Sequence, residues 1–224
     1  VSVESNHIAF VIDTSGSMRD PNTRLVWGYV IQKFEEALDS YPEVKGIQLL
    51  DANGRFIVGR GMGNSWMKDD KQTRDYMVRT LRLYPYDSES NPVPGIAQAI
   101  RRLAKPNDEE MNMGIYVFGD EFTGKSEPVL NTLDKLNKGK DGERLTLINA
   151  IGFPNLIRST LSLSQSGLKF ANLMRELTYE HGGAFVALER ESLKARSREI
   201  DERYPAPIPR REPRVPSIIY GPGR

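Results

Sequence analysis

The sequence predicts an α/β fold: a doubly wound, mostly parallel sheet of six strands, with helices on both faces and an extended proline-rich C-terminal tail. Two observations favour the sheet. Short apolar segments rich in strand-forming residues recur along the chain. Segments with apolar residues at helical spacing separate most of them. Because strands that alternate with helices pair in parallel through crossover connections, the pattern indicates a largely parallel sheet.

The predicted strands are short and apolar, and they cover residues 7–13, 47–50, 56–58, 114–118, 145–151 and 184–188. The first of them is apolar at nearly every position, which is typical of a strand buried on both faces of a sheet. The second and third flank the pair Asn53-Gly54. This pair favours a tight turn, so we expect these two strands to run antiparallel.

The predicted helices have apolar residues at intervals of three and four, and they cover residues 27–41, 69–83, 94–104, 129–136 and 168–179. The first ends before Pro42, as the steric restriction on a residue preceding proline requires.

The composition changes after about residue 190, so we divide the chain into a domain, residues 1–190, and a basic, proline-rich extension, residues 191–224. Residues 191–203 are highly charged and are compatible with a helix. Beyond Tyr204, six prolines lie among several arginines. That composition cannot form a core and predicts an extended, polyproline-like or disordered tail.

The composition also excludes several classes of function. The formal net charge is +1, so the overall charge gives no reason to expect binding to nucleic acid or to an anionic membrane. The chain has no cysteine, which excludes disulfides, zinc–thiolate sites and thiol catalysis. No apolar run approaches the ~20 residues that span a bilayer. The sequence leaves the compartment open, with an extracytoplasmic location, periplasmic or at the cell surface, favoured over the cytoplasm.

The loop after the first strand carries the clearest chemical pattern. It reads Asp13-Thr14-Ser15-Gly16-Ser17, in which alternate residues place one carboxylate and two hydroxyls on the same side of the chain. These hard oxygen ligands suit Mg²⁺, Mn²⁺ or Ca²⁺. Gly16 allows the backbone to turn tightly between the two serines.

A second carboxylate follows the strand at residues 114–118. In the strand order 3-2-1-4-5-6 this fourth strand lies beside the first, and Asp120 comes just after its carboxyl end. We therefore expect Asp13 and Asp120 to meet at one edge of the sheet. Two carboxylates packed together repel each other, and a divalent cation neutralises both.

Residues 7–189 resemble the von Willebrand factor A family, whose members carry a metal-ion-dependent adhesion site. Asp13, Ser15 and Ser17 match the family's first motif. Counting back from the start of the helix at residue 94 places Ser90 where the family has a threonine, with Ser88 as an alternative. Asp120 matches the third motif, although Glu121 follows it where the family usually has glycine.

The resemblance implies a function in binding and not in catalysis. In the family, the hydroxyls hold the metal directly, carboxylates often act through water, and one coordination position stays open. A protein partner fills that position with an Asp or Glu. The resemblance therefore implies an adhesion or assembly module that uses Mg²⁺, or Mn²⁺ or Ca²⁺ in its place, and no catalytic residues.

Two alternatives remain at this stage. Residues 119–126 match the phosphate-loop pattern G-x-x-x-x-G-K-[ST], and they follow a predicted strand and precede a helix, as in a nucleotide hydrolase. Against this hypothesis, Asp120 and Glu121 would face the polyphosphate with like charge. The other alternative is a scaffold in which the metal has a purely structural role.

Overall fold

Within the part of the chain that the structure describes, the sheet is parallel and consists of five strands. A computed structural model describes residues 5–19, 24–41, 43–59, 65–85, 87–140, 142–154, 165–189, 191 and 195–203. The strands are β1 (His7–Ile12), β2 (Gly46–Asp51), β3 (Met113–Gly119), β4 (Thr146–Gly152) and β5 (Phe185–Ala187). Their order across the sheet is β2-β1-β3-β4-β5, and every pair is parallel. The predicted parallel α/β sheet and the predicted contact between the first strand and residues 114–118 are confirmed.

The prediction of six strands is wrong. Residues 56–58 do not form a strand; they make one antiparallel bridge, between Phe56 and Leu50. The direction of this pairing is as predicted, but no second bridge forms within residues 56–58, and Gly59 has a φ of +70°, which lies outside the β region. Met67 then bridges antiparallel to Ile47, so two separate short contacts cover the edge of β2.

Helices cover both faces of the sheet, as predicted. They are α1 (Gly16–Arg19), α2 (Arg24–Asp39), α3 (Lys71–Arg82), α4 (Val93–Leu103), α5 (Ser126–Leu136), α6 (Gln165–Glu180) and α7 (Ser197–Arg203). One hydrophobic cluster joins α2, α3 and α7 to one face, and a second joins α4, α5 and α6 to the other. In β1, Phe10 belongs to the first cluster and Val11 to the second, which explains why this strand is apolar from Ile8 to Ile12.

A glycine in α4 brings that helix close to the carboxyl edge of the sheet. A side chain at Gly95 would come within 2.5 Å of Val11 Cγ1 and 2.8 Å of the Asp51 carbonyl oxygen. The Gly95 N–H donates to the carbonyl of Ala52 at 2.8 Å. This close approach places the loop that precedes α4 directly above the ends of β1 and β2.

The beginning of the predicted C-terminal extension packs on the domain. Ile200 of α7 is buried in the cluster that contains α2, and Arg203 forms an ion pair with Glu35 at 3.0 Å. The predicted proline-rich tail beyond residue 203 lies outside the described residues. Within the described part of the chain, no helix is long and apolar enough to cross a membrane.

Candidate metal centre

Two buried carboxylates meet at the carboxyl edge of the sheet. Ile12 of β1 lies opposite Phe118 of β3, so both strands deliver their next residues to the same edge. The Asp13 N–H donates to the Phe118 carbonyl at 2.8 Å, which fixes the start of the first loop against β3. Asp13 is 0% exposed and Asp120 is 4% exposed. The predicted approach of these two residues is therefore present in the fold.

The hydroxyls of the first loop converge on the second carboxylate. The Ser15 N–H donates to Asp13 Oδ1 at 2.8 Å, a local turn that starts the loop. Ser15 Oγ lies 3.1 Å from Ser17 Oγ, and Ser17 Oγ donates to Asp120 Oδ1 at 3.0 Å. Asp13, Ser15, Ser17 and Asp120 thus form one connected group, which we call the edge cluster.

The loop before α4 reaches the edge cluster through Ser88, and the contact does not involve Ser90. Ser88 Oγ accepts the Thr14 N–H at 2.9 Å and donates to Asp13 Oδ1 at 3.3 Å. Ser90 is half-buried and makes neither of these hydrogen bonds. Counting back from the helix favoured Ser90, with Ser88 as the alternative, and it is Ser88 that contacts Asp13 in the structure.

Burial and like charge disfavour the ionised forms of both carboxylates. Burial, followed by the charge of Asp13, raises the pKa of Asp120 to about 8, and the hydrogen bond from Ser17 only partly opposes this. Burial also raises the pKa of Asp13 to about 6, against hydrogen bonds from Ser15 and Ser88 that lower it. The nearby charge of Glu121 raises both pKa values further. The sequence indicated Glu121 as a departure from a motif and as a like charge beside a polyphosphate, but not as a charge that acts on Asp13.

The edge cluster fits a hard divalent cation. Asp13 Oδ2 and Asp120 Oδ2 are both buried without a hydrogen-bond partner, which is costly for a carboxylate. The neighbouring donors are hydroxyl oxygens, which Mg²⁺ and Ca²⁺ accept as ligands. Among the described residues, no group of three or more His, Cys, Asp or Glu side chains could hold a metal. A cation here would therefore depend on mixed hydroxyl and carboxylate ligands.

The loop at residues 119–126 is partly filled by its own buried side chain, Phe122. Phe122 is fully buried, and its N–H donates to the Ser166 carbonyl at 3.1 Å. The Phe122 ring also lies against Gly124, where an added Cβ would come within 2.5 Å of it. A phosphate loop needs its backbone N–H groups free and turned inward. These contacts disfavour the nucleotide-binding hypothesis.

Comparisons with known proteins bear on the fold. No protein-family model and no curated protein matches the chain. A solved structure titled von Willebrand factor type A, from Catenulispora acidiphila, superposes with a TM-score of 0.61 at 14% sequence identity. The match covers 89% of this chain and 42% of the Catenulispora chain. Proximal thread matrix protein 1 from the mussel byssus matches 88% of this chain and 44% of its own, with a TM-score of 0.50 at 14% identity. This chain therefore spans about two fifths of the length of these two chains and has the fold of a von Willebrand factor A domain.

Proposed function

We propose that this chain is a protein-binding module that depends on a divalent cation, with Mg²⁺ at the edge cluster coordinating an acidic residue of a partner protein. Mn²⁺ or Ca²⁺ could occupy the same site. The observation that carries the proposal is the pair of buried carboxylate oxygens, Asp13 Oδ2 and Asp120 Oδ2, that have no hydrogen-bond partner. They lie beside two hydroxyls that already point at one another and at Asp120.

The residues that would hold the ion are those of the edge cluster. The Ser15 and Ser17 hydroxyls and the Asp120 carboxylate would supply oxygen ligands, and Asp13 would balance the charge while orienting the Ser15 backbone. A bound cation supplies Lewis acidity that attracts a carboxylate from outside. Because hydroxyl ligands carry no charge, they leave more of that attraction for the incoming group than additional carboxylates would.

The edge cluster reaches the surface at the turn into α1, which favours a binding role over a purely structural metal. Gly16 is exposed, and a Cβ added to it would meet no atom within 4 Å. Ser17 is half-buried, whereas Asp13 and Ser15 are buried. The hydroxyl of Ser17 thus lies between the buried carboxylates and solvent, where a partner's side chain can approach.

Selection of peptides tests this proposal without knowledge of the partner. A random peptide library is bound to the full chain in Mg²⁺ and eluted with EDTA. We expect the selected peptides to share an Asp or Glu whose replacement by Asn or Gln abolishes binding, because only a carboxylate offers a charged oxygen to the metal.

Two serine variants make the test specific. Ser17→Ala removes a hydroxyl of the edge cluster and should abolish the Mg²⁺-dependent binding. Ser40→Ala removes a hydroxyl that donates to the Ala37 carbonyl at 2.7 Å and should leave binding unchanged. Peptides that elute equally well without EDTA, or that share no acidic residue, would overturn the proposal. Calorimetric binding of Mg²⁺-ATP that is lost in Lys125→Ala would support the nucleotide-binding alternative instead.

A further inference from the structure

A third buried carboxylate lies at the same edge of the sheet, and its bonding differs from that of the edge cluster. Asp51 ends β2 and is paired across the sheet with Ile12, one residue before Asp13. Asp51 is 0% exposed. Its Oδ1 accepts the Arg55 N–H at 2.8 Å, and its Oδ2 accepts the Tyr84 hydroxyl at 2.9 Å. Both oxygens of Asp51 therefore accept a hydrogen bond, whereas Asp13 and Asp120 each keep one buried oxygen without a partner.

Asp51 instead shapes a tight turn, residues 51–54, which we call the β2 turn. The Gly54 N–H donates to the Asp51 carbonyl at 2.9 Å. Gly54 has a φ of +83°, a conformation that residues with a side chain rarely adopt. The turn is therefore held by its own backbone and by the Asp51 carboxylate, which makes it a rigid support for whatever lies above it.

The β2 turn holds the loop before α4 on both sides of Ser88. On the N-terminal side, the Tyr84 hydroxyl reaches Asp51, and Tyr84 is itself only 2% exposed. On the C-terminal side, the N–H of Glu89, the residue after Ser88, donates to Asn53 Oδ1 at 3.1 Å. Further along, the Gly95 N–H donates to the Ala52 carbonyl at 2.8 Å, so the same turn also fixes the start of α4.

We propose that Tyr84 and Asn53 are positioning residues for the cation, because they hold Ser88 against the first loop of the edge cluster. Ser88 Oγ accepts the Thr14 N–H and donates to Asp13, and it thereby sets the orientation of one carboxylate. This inference rests on the proposed function and adds to it two residues that position Ser88. The β2 turn takes no part in coordination, and it acts only through the position of Ser88.

The variants that test this inference remove one hydrogen bond each. Tyr84→Phe keeps the buried ring and deletes the hydroxyl that reaches Asp51. Asn53→Ala removes the acceptor for the Glu89 N–H, and Asn53→Asp restores an oxygen acceptor at that position. The matched control is Tyr41→Phe, which deletes another buried hydroxyl, one that lies 2.9 Å from the Tyr116 hydroxyl.

Two measurements on the full chain separate positioning from general stability. The first is hydrogen exchange of the Thr14 amide in metal-free protein, relative to the amides of β3. The second is Mg²⁺ affinity by calorimetry. We expect Tyr84→Phe and Asn53→Ala to speed Thr14 exchange relative to β3 and to weaken Mg²⁺ binding measurably, by less than the roughly 10–100-fold loss typical of residues that hydrogen-bond directly to a metal ligand. Tyr41→Phe and Asn53→Asp should match the wild type in both measurements.

Each result decides a different claim. If Tyr84→Phe and Asn53→Ala leave both Thr14 exchange and Mg²⁺ affinity as in Tyr41→Phe, the positioning role is overturned and the proposed function stands. If the wild-type chain binds no Mg²⁺ at millimolar concentration, the proposed function fails and the cation role of these residues fails with it. In that case the exchange of Thr14 still shows whether the β2 turn holds Ser88.

Discussion

Raising the pH from about 5 to about 8 should destabilise the metal-free chain, and Mg²⁺ should remove most of that loss. The folded-state pKa values of Asp13 and Asp120, about 6 and about 8, lie above the ordinary value for Asp. The stability that these protonated groups contribute is fully present below that ordinary value. It is lost as the pH rises through the folded-state values, since the buried pair must then ionise.

The expected loss is large for a single site. One unit of pKa shift corresponds to about 1.4 kcal/mol, so ionisation of this pair should cost on the order of 5 kcal/mol in free energy of unfolding over that pH range. A bound cation pairs with the ionised carboxylates, so Mg²⁺ should raise the melting temperature far more at about pH 8 than at about pH 5. Denaturant unfolding at both pH values, with Mg²⁺ and with EDTA, measures the effect.

Asp120→Asn isolates the contribution of the pair. Burial lowers the pKa of His181, which makes the chain more stable as the pH rises through the ordinary histidine range and so opposes the carboxylates. Subtracting the pH profile of Asp120→Asn from that of the wild type removes this background. A profile for the variant that falls with pH as steeply as the wild type's would show that the buried pair does not cause the effect.

Neutralising Asp13 should weaken Mg²⁺ binding by more than the roughly 10–100-fold typical of residues behind a ligand, and should abolish binding of acidic peptides. Asp13→Asn keeps an oxygen that can accept the Ser15 N–H and the Ser88 hydroxyl. The metal-free variant should be at least as stable as the wild type at about pH 8, because removing one charge relieves the repulsion with Asp120.

Asp69→Asn is the matched control, since it neutralises another buried carboxylate, one that is paired with a positive charge, Arg74, and not with a second carboxylate. Asp69 binds Arg74 through both oxygens at 2.6 Å and accepts the Val44 N–H at 3.0 Å. Its loss should lower the stability of the chain and leave Mg²⁺ affinity unchanged. We therefore expect opposite results: Asp13→Asn loses Mg²⁺ affinity and keeps its stability, whereas Asp69→Asn loses stability and keeps its Mg²⁺ affinity. A marked loss of stability in metal-free Asp13→Asn would instead indicate that the edge cluster is a structural element.

The sequence predicts the parts of this site that follow from strand order. Asp13 and Asp120 directly follow the ends of two apolar strands, and the parallel arrangement of these strands brings the two residues together. The sequence could not show that Ser88, and not Ser90, contacts Asp13, because that contact depends on how the β2 turn holds the loop before α4.

Features that depend on tertiary packing could not be predicted from the sequence. Residues 56–58 have strand-forming composition, but they form only one bridge with β2, and Gly59 then has a φ of +70°, outside the β region. Helix α7 is rich in charged residues, and this composition resembles that of a solvated tail. The helix nevertheless packs on the domain, because Ile200 is buried against α2. Composition indicates whether a segment can be helical, whereas its docking depends on a surface formed by distant residues.

A crystal structure of the chain grown with Mn²⁺ tests the central claim most directly. We expect a single anomalous peak bonded to Ser15 Oγ, Ser17 Oγ and an Asp120 oxygen, with Mg²⁺ replacing it at about 2.0–2.1 Å from the same atoms. Binding of the ion should break the hydrogen bond from Ser17 to Asp120 that the metal-free arrangement contains. A structure that retains this hydrogen bond, with no anomalous peak at the edge cluster in millimolar Mn²⁺, would contradict the account.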